Sequence, residues 1–349
     1  MTPITLLIAF FVLSFFLSFA LLRMVYNNPS LKDGFVFLWA VMLAGAMSAV
    51  YFNSTPYDSI AGFSLPEPAL VFGSALIVYL IAARAPKFAA LPILLGAGLY
   101  TFLIPQDNFL LFNGLLPPIF DHLAAAVIWA AISWSFQYLN ALNALMSLQT
   151  LTIGFGILVL YFMGASPLAL ALIAITITGA MLALLTYNGF PAYIIPSDAF
   201  CQAVGFIGAW LLFKLSAEAT PASALILITY FALEVAAALC RFVLPGNKAS
   251  LKENTNYYQA VIHGLSPQTV LFAIGKILML LIILASFQLY AGNFFSLPFL
   301  GLIVCSMFVY RLRHWNEKDQ TLKEINAEFV QDLKDGIQEI KDTFNKDKP

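Results

Sequence analysis

The chain reads as an all-helical, polytopic membrane bundle, and three observations predict that class. Of its 349 residues, 61% are apolar and only 10% charged, and the mean hydropathy is +0.87, a composition that excludes a soluble globular domain. The apolar residues gather into about eleven uninterrupted stretches, most of them of the length that crosses a bilayer as a helix. A lipid-facing β-barrel would need alternating polarity, so helices that satisfy their own backbone are the spanning structure.

In order, the stretches run at about 3–22, 34–52, 68–83, 88–104, 122–139, 147–164, 167–187, 201–216, 223–243, 269–291 and 296–310. The first lacks a basic leader and a small-residue cleavage motif, so it reads as a retained helix. With alternating segments, Arg23, Lys32, Arg84, Lys87, Arg241, Lys248, Lys252 and the eight cations after residue 310 share one side, and the opposite loops contain no Lys or Arg. Only Lys214 and Lys276 fall elsewhere. The positive-inside rule then predicts an outside N-terminus and a cytoplasmic C-terminus.

Two units follow, a transmembrane body over 1–310 and a charged cytoplasmic segment over 311–349 with 8 basic and 9 acidic residues. Within the latter, Leu322, Ile325, Phe329, Leu333, Ile337, Ile340 and Phe344 recur every three or four residues, which predicts one amphipathic helix. The Phe329-to-Leu333 step and Gly336 argue against a long coiled coil and leave docking on the body, a short dimer contact or a membrane-surface position open. A net charge of −1 without a basic stripe excludes nucleic acid as a partner. Cys201, Cys240 and Cys305 show neither metal-ligand spacing nor a disulfide framework.

The polar residues concentrate in loops on the basic side. They form the patches Tyr26–Ser30, Gln137–Leu145, Tyr187–Asp198, and Asn254–Tyr258 followed by His263-Gly264-Leu265-Ser266-Pro267. Residues 187–208 carry an aromatic-Asn, a Pro-Ala, two apolar residues and then x-x-Asp before a Gly-containing helix. On these residues the chain resembles the polyprenyl-phosphate N-acetylhexosamine-1-phosphate transferases, whose pattern is Asn-x-x-Pro-Ala-x-x-(apolar)-Met-Gly-Asp-x-Gly-Ser. The resemblance extends over about 1–310 and implies the same eleven-span topology. Asp198 matches the family's metal-binding aspartate, with Phe200-Cys201 in place of the following Gly-Ser.

Gly264-Leu265-Ser266 resembles the Gly-Leu-Ser after the family's His-x-His-His motif, which puts Thr255, Tyr257 and Tyr258 where that motif has histidines. The family's Asn-Ala-x-Asn-x-x-Asp-Gly-x-Asp-Gly-Leu aligns with Trp134–Leu145, with Asn140 and Asn143 in place of two aspartates. The Asp-Asp pair expected near Ala82-Ala83-Arg84 is absent. The family joins a polyprenyl phosphate to the sugar phosphate of a UDP-sugar, and Mg²⁺ neutralises the approaching phosphates.

Mg²⁺ favours carboxylate oxygen and is usually held by one or two carboxylates plus phosphates, and losing one electrostatic contributor commonly costs about 10²–10³ in rate. The resemblance therefore implies a catalytically degenerate member of the bacterial inner membrane that binds polyprenyl phosphate, or that pairs as a homodimer or as a heterodimer with an active relative. Mg²⁺ is implied only for an active enzyme, in which Asp198 would hold the ion with Asp33 or Glu253. Asn188, His263 and Gln137 are the substrate-binding candidates. An unrelated lipid or small-molecule transporter is a further reading, although midplane sites and internal repeats are not visible.

Simpler roles stand beside these. Asn140 and Asn143 suit interfacial caps, Asp198 a helix N-cap, Tyr257 and Tyr258 the membrane interface, and His263 a hydrogen-bonded loop position. Two ionisable residues lie inside spans, Glu234 and Lys276, at similar depths from the basic side by helix rise. The cost of either charge alone in lipid predicts a buried Glu234–Lys276 pair.

Overall fold

The structure, a computed structural model, describes residues 2–28, 35–53, 67–103, 117–218, 221–244, 249–291 and 296–314. Its long helices are α1 (Pro3–Asn27), α2 (Phe35–Asn53), α3 (Glu67–Arg84), α4 (Ala90–Leu103), α5 (Pro118–Ser135), α6 (Leu145–Phe162), α7 (Leu168–Asn188), α8 (Asp198–Glu218) and α9 (Pro221–Val243). A seven-residue α10 (Asn256–Ile262) precedes α11 (Pro267–Phe287) and α12 (Ser296–Arg313), and 3₁₀ turns occupy Pro86–Phe88 and Phe136–Ala141. Among the described residues every regular element is helical, as the composition predicts. Among those residues nine helices are long and apolar enough to cross a membrane, and Leu38–Tyr51 and Pro86–Phe102 form two shorter apolar helices. The expected tail helix at 314–346 lies outside the described residues apart from His314.

Helices α7 and α8 sit at the centre of the bundle, while α1 and α12 are its least buried spans. Composition explains the placement. Both central helices bury residues around nearly their whole circumference, and a helix without a polar face can be surrounded on all sides. Small residues then set how close neighbours come, since lipid supplies no hydrophobic force to press helices together. Ser14 Oγ on α1 donates to the Thr176 carbonyl on α7 at 2.6 Å. One turn on, a Cβ built at Gly179 would lie 3.0 Å from the Phe11 carbonyl oxygen and 3.1 Å from the Phe15 nitrogen. These are backbone atoms that cannot rotate aside, so Gly179→Val is expected to destabilise the bundle by about 1–3 kcal/mol. Thermal unfolding in detergent reads this, and an unchanged midpoint would show that α1 is free to shift.

At the end of the bundle opposite the basic loops, a polar cluster is satisfied internally. Lys214 Nζ lies 2.8 Å from Glu67, and Trp210 Nε1 donates to Glu67 Oε1 at 2.8 Å and to the Tyr100 hydroxyl at 3.0 Å. The off-side cation Lys214 is thereby paired with the first acidic residue of α3, as burial in a bundle requires.

Candidate functional site

Three polar patches of the basic side, Gln137–Leu145, Tyr187–Asp198 and Asn254–Tyr258, converge where α5, α8, α9 and α10 meet, and local packing accounts for this. Tyr26 of the remaining patch packs against Tyr187 and Tyr193, and Pro29 and Ser30 lie outside the described residues. Helix α5 tightens into its 3₁₀ turn against α8, where the ring of Phe136 would stand 2.7 Å from any Cβ at Gly205. A larger residue there would push the two elements apart. Trp129 Nε1 donates to the Phe206 carbonyl at 3.1 Å, Ser133 Oγ to the Gln202 carbonyl at 2.9 Å, and Gln202 Nε2 to Gln137 Oε1 at 2.9 Å. These bonds carry Asn140 to the start of α8, where its Nδ2 donates to the Pro196 carbonyl at 2.8 Å and to Asp198 Oδ1 at 3.1 Å.

Asp198 is the first residue of α8, and the cap is one position earlier: Ser197 Oγ accepts from the Phe200 N–H at 3.2 Å. This corrects the expected N-cap role of Asp198. Its carboxylate still sits where the helix dipole favours negative charge, but its main partner is Lys252. The ammonium reaches Oδ1 at 2.7 Å and Oδ2 at 2.8 Å, so one cation spans both oxygens of a half-exposed carboxylate.

A divalent metal does not fit this arrangement. Both Asp198 oxygens already receive the ammonium, and Asn140 turns its donor end towards them. Because the Pro196 carbonyl faces the same amide, its N–H group and not its oxygen must point this way. Glu253 does not supply a second ligand. Its carboxylate accepts the Ser250 N–H at 2.6 Å, and that bond, with a smaller contribution from the Ser250 hydroxyl, holds its carboxyl below the usual range. Among the described residues no three His, Cys, Asp or Glu side chains gather, and Asp33 lies outside those residues.

The loop carrying Lys252 is anchored from below. Glu234, fully buried on α9, presents Oε1 to the backbone N–H groups of Asn256 and, at 3.4 Å, of Tyr257, and Oε2 to Asn256 Nδ2 at 2.9 Å. Those two N–H groups open α10, so a carboxylate from a neighbouring helix satisfies donors that a helix start leaves free. Arg241, two turns along α9, donates to the Asn254 carbonyl and to Asn256 Oδ1, and its charge acts on Glu234. Irregular backbone can thus enter the bundle because its polar groups are met by protein. The expected Glu234–Lys276 pair is therefore corrected: Glu234 holds α10, and the Lys276 ammonium sits over the Phe272 ring, 4.6 Å from its centroid.

Tyr257 also departs from expectation. It is buried rather than interfacial, and its hydroxyl donates to the Tyr138 carbonyl at 2.6 Å, which ties α10 to the 3₁₀ turn. Burial, reinforced by the charge of Glu234, pushes the phenol well above its ordinary pKa and keeps it a donor. Thr255 is buried at the start of α10, its hydroxyl donating to the Lys252 carbonyl at 2.7 Å, while Tyr258 is half-buried and His263 exposed where α10 ends. Asn188 is buried too, and in the orientation that suits its neighbours its amide accepts from the Ala144 N–H and donates to the Ile194 carbonyl, both at 3.2 Å. It braces backbone rather than facing a ligand, which corrects its reading as a substrate contact. Half-buried Asn143 lies in the turn before α6. Gln137 is held by Gln202.

Two backbone positions stand out at this end. Ala144 adopts φ +71° and Gly264 φ +103°, the left-handed region that a side chain disfavours by about 1–2 kcal/mol. The Asn188 amide holds Ala144 there.

No family model matches the chain, and no curated protein matches it.

Proposed function

We propose that this is a catalytically silent relative of the polyprenyl-phosphate sugar-1-phosphate transferases, in which the Lys252 ammonium takes the charge-neutralising place of Mg²⁺ beside Asp198. The observation that carries this reading is the two-point contact of Lys252 with both Asp198 oxygens. Ala144 and Gly264 give further support, because both fall where the family's motifs have glycine and both have positive φ. A motif whose left-handed positions survive while its acids do not is what loss of chemistry on a kept scaffold leaves behind.

A lysine is a monovalent, fixed cation. It can orient Asp198, yet it cannot bridge two phosphates as a metal held by several oxygens does. The protein would lie in the bacterial inner membrane with its tail in the cytoplasm, and would act by holding polyprenyl phosphate or an active partner of cell-envelope glycan synthesis, as a homodimer or heterodimer.

The test is exchange of labelled UMP into UDP-N-acetylhexosamines by the detergent-purified protein, with polyprenyl phosphate and either Mg²⁺ or Mn²⁺ present. No exchange above background is expected, either in the wild type or in Asp198→Ala. Metal-dependent exchange that disappears in the variant would make this an enzyme with a reduced metal site and overturn the reading.

A further inference from the structure

Lys276 is the tenth of the 21 residues of α11, about 15 Å along the axis from Ser266 at 1.5 Å per residue. It is an exposed cation in the middle of an apolar span. Its side chain leans one turn back towards the N-terminal end of α11, as helical side chains do, and rests over Phe272. Among the described residues no carboxylate lies within ion-pairing distance of it. A charge at such a depth is costly to insert and marks a ligand or partner when its own chain does not meet it.

The surroundings say which. Lys276 lines a furrow of about 470 Å³ between α6 and α11, walled by Leu148, Thr152 and Phe155 on one side and by Phe272, Gly275 and Met279 on the other. Gly275 opens the floor, since a Cβ there would meet nothing within 4 Å. Apart from the ammonium, the named lining offers only the Thr152 hydroxyl, whose proton is spent on the Leu148 carbonyl at 2.9 Å. An apolar slot with one cation matches an amphiphile that has a hydrocarbon chain and an anionic head.

We propose that the α6–α11 furrow is a binding site for an anionic phospholipid of the surrounding bilayer, with its phosphate at the membrane surface on the Ser266 side, one acyl chain running down into the furrow along Phe155 and Met279, and the Lys276 ammonium reaching towards the phosphate from below. Basic pockets between membrane helices bind anionic head groups in this way. The site is distinct from the Asp198 cluster and stands whether or not the transferase reading holds. Its occupant would neutralise the one cation that the described residues place along this furrow and would join α6 to α11.

Native mass spectrometry of the full chain, with phosphatidylglycerol, phosphatidylcholine or polyprenyl phosphate added in turn, tests this. Phosphatidylglycerol is expected to be retained preferentially. Lys276→Met should weaken it about fivefold, in line with about 1 kcal/mol per basic residue, and Lys276→Arg should keep it. Gly275→Leu fills the slot without touching the charge and should weaken it as well. Equal retention of phosphatidylglycerol and phosphatidylcholine, indifference to Lys276→Met, or retention of polyprenyl phosphate alone would each overturn the proposal. So would a lipid-independent dimer that Lys276→Met dissolves, which would make the furrow a contact between copies.

Discussion

Glu234→Ala is expected to lower the stability of the bundle by about 3 kcal/mol, the scale of removing one partner from a buried charged network. The substitution strips acceptors from the Asn256 and Tyr257 N–H groups and from Asn256 Nδ2, and leaves Arg241 facing only neutral groups among the partners described above. Unsatisfied donors inside the bundle have no water to turn to, so α10 should leave its seat and take the Tyr257–Tyr138 bond with it. Glu234→Gln keeps one acceptor oxygen and should cost less. Thermal unfolding in detergent gives the size of the effect, and faster amide exchange over 250–262 gives its location. Lys276→Met is the control: it should leave the midpoint unchanged in lipid-free detergent, since Lys276 takes no part in holding Glu234. Equal losses from the two variants would restore a coupling between them and sink this account of α10.

The long helices are legible because apolar length is a one-dimensional property: the stretch at 167–187 becomes α7 at Leu168–Asn188, and that at 223–243 becomes α9 at Pro221–Val243. Helix α10 has only seven residues, too few to show a period, and its cap comes from a carboxylate twenty-two positions earlier. Depth alone suggests the wrong partner for Glu234. Helix rise puts Lys276 at a similar level, but rise says nothing about which face each side chain occupies, and Lys276 faces the furrow. Asn188 illustrates a different limit, for an asparagine at a helix end looks the same in sequence whether its amide meets a ligand or braces the Ala144 backbone. Lys252 enters the charge count only as one more basic loop residue. The signal that singles it out is indirect: a lone aspartate at the start of an apolar helix needs a counter-charge, and Lys252 lies in the loop that leads into α10.

Exchanging that counter-charge should make the site metal-responsive. In Lys252→Ala combined with Asn140→Asp, the ammonium is gone and a second carboxylate replaces an N–H donor that now points at Asp198. Two carboxylates without a cation repel, so the variant should be less stable than the wild type in EDTA, and Mn²⁺ or Mg²⁺ should restore it by mass action. The gain is about 2.7 kcal/mol at a hundredfold excess of metal over its dissociation constant. The wild-type protein should show no such response, because its Asp198 oxygens are already engaged and its Asn140 presents the wrong polarity to a cation. Lys252→Ala alone should shift stability by less than about 1 kcal/mol, the usual worth of a partly exposed ion pair, which separates loss of the pair from collapse of the loop. A wild-type midpoint that rises with Mn²⁺ as much as that of the double variant would mean that the ammonium yields to metal, and Lys252 would then be a mobile substrate-side cation. If neither protein responds, the scaffold around Asp198 lacks the geometry for a metal as well as the charge, and two substitutions do not supply it.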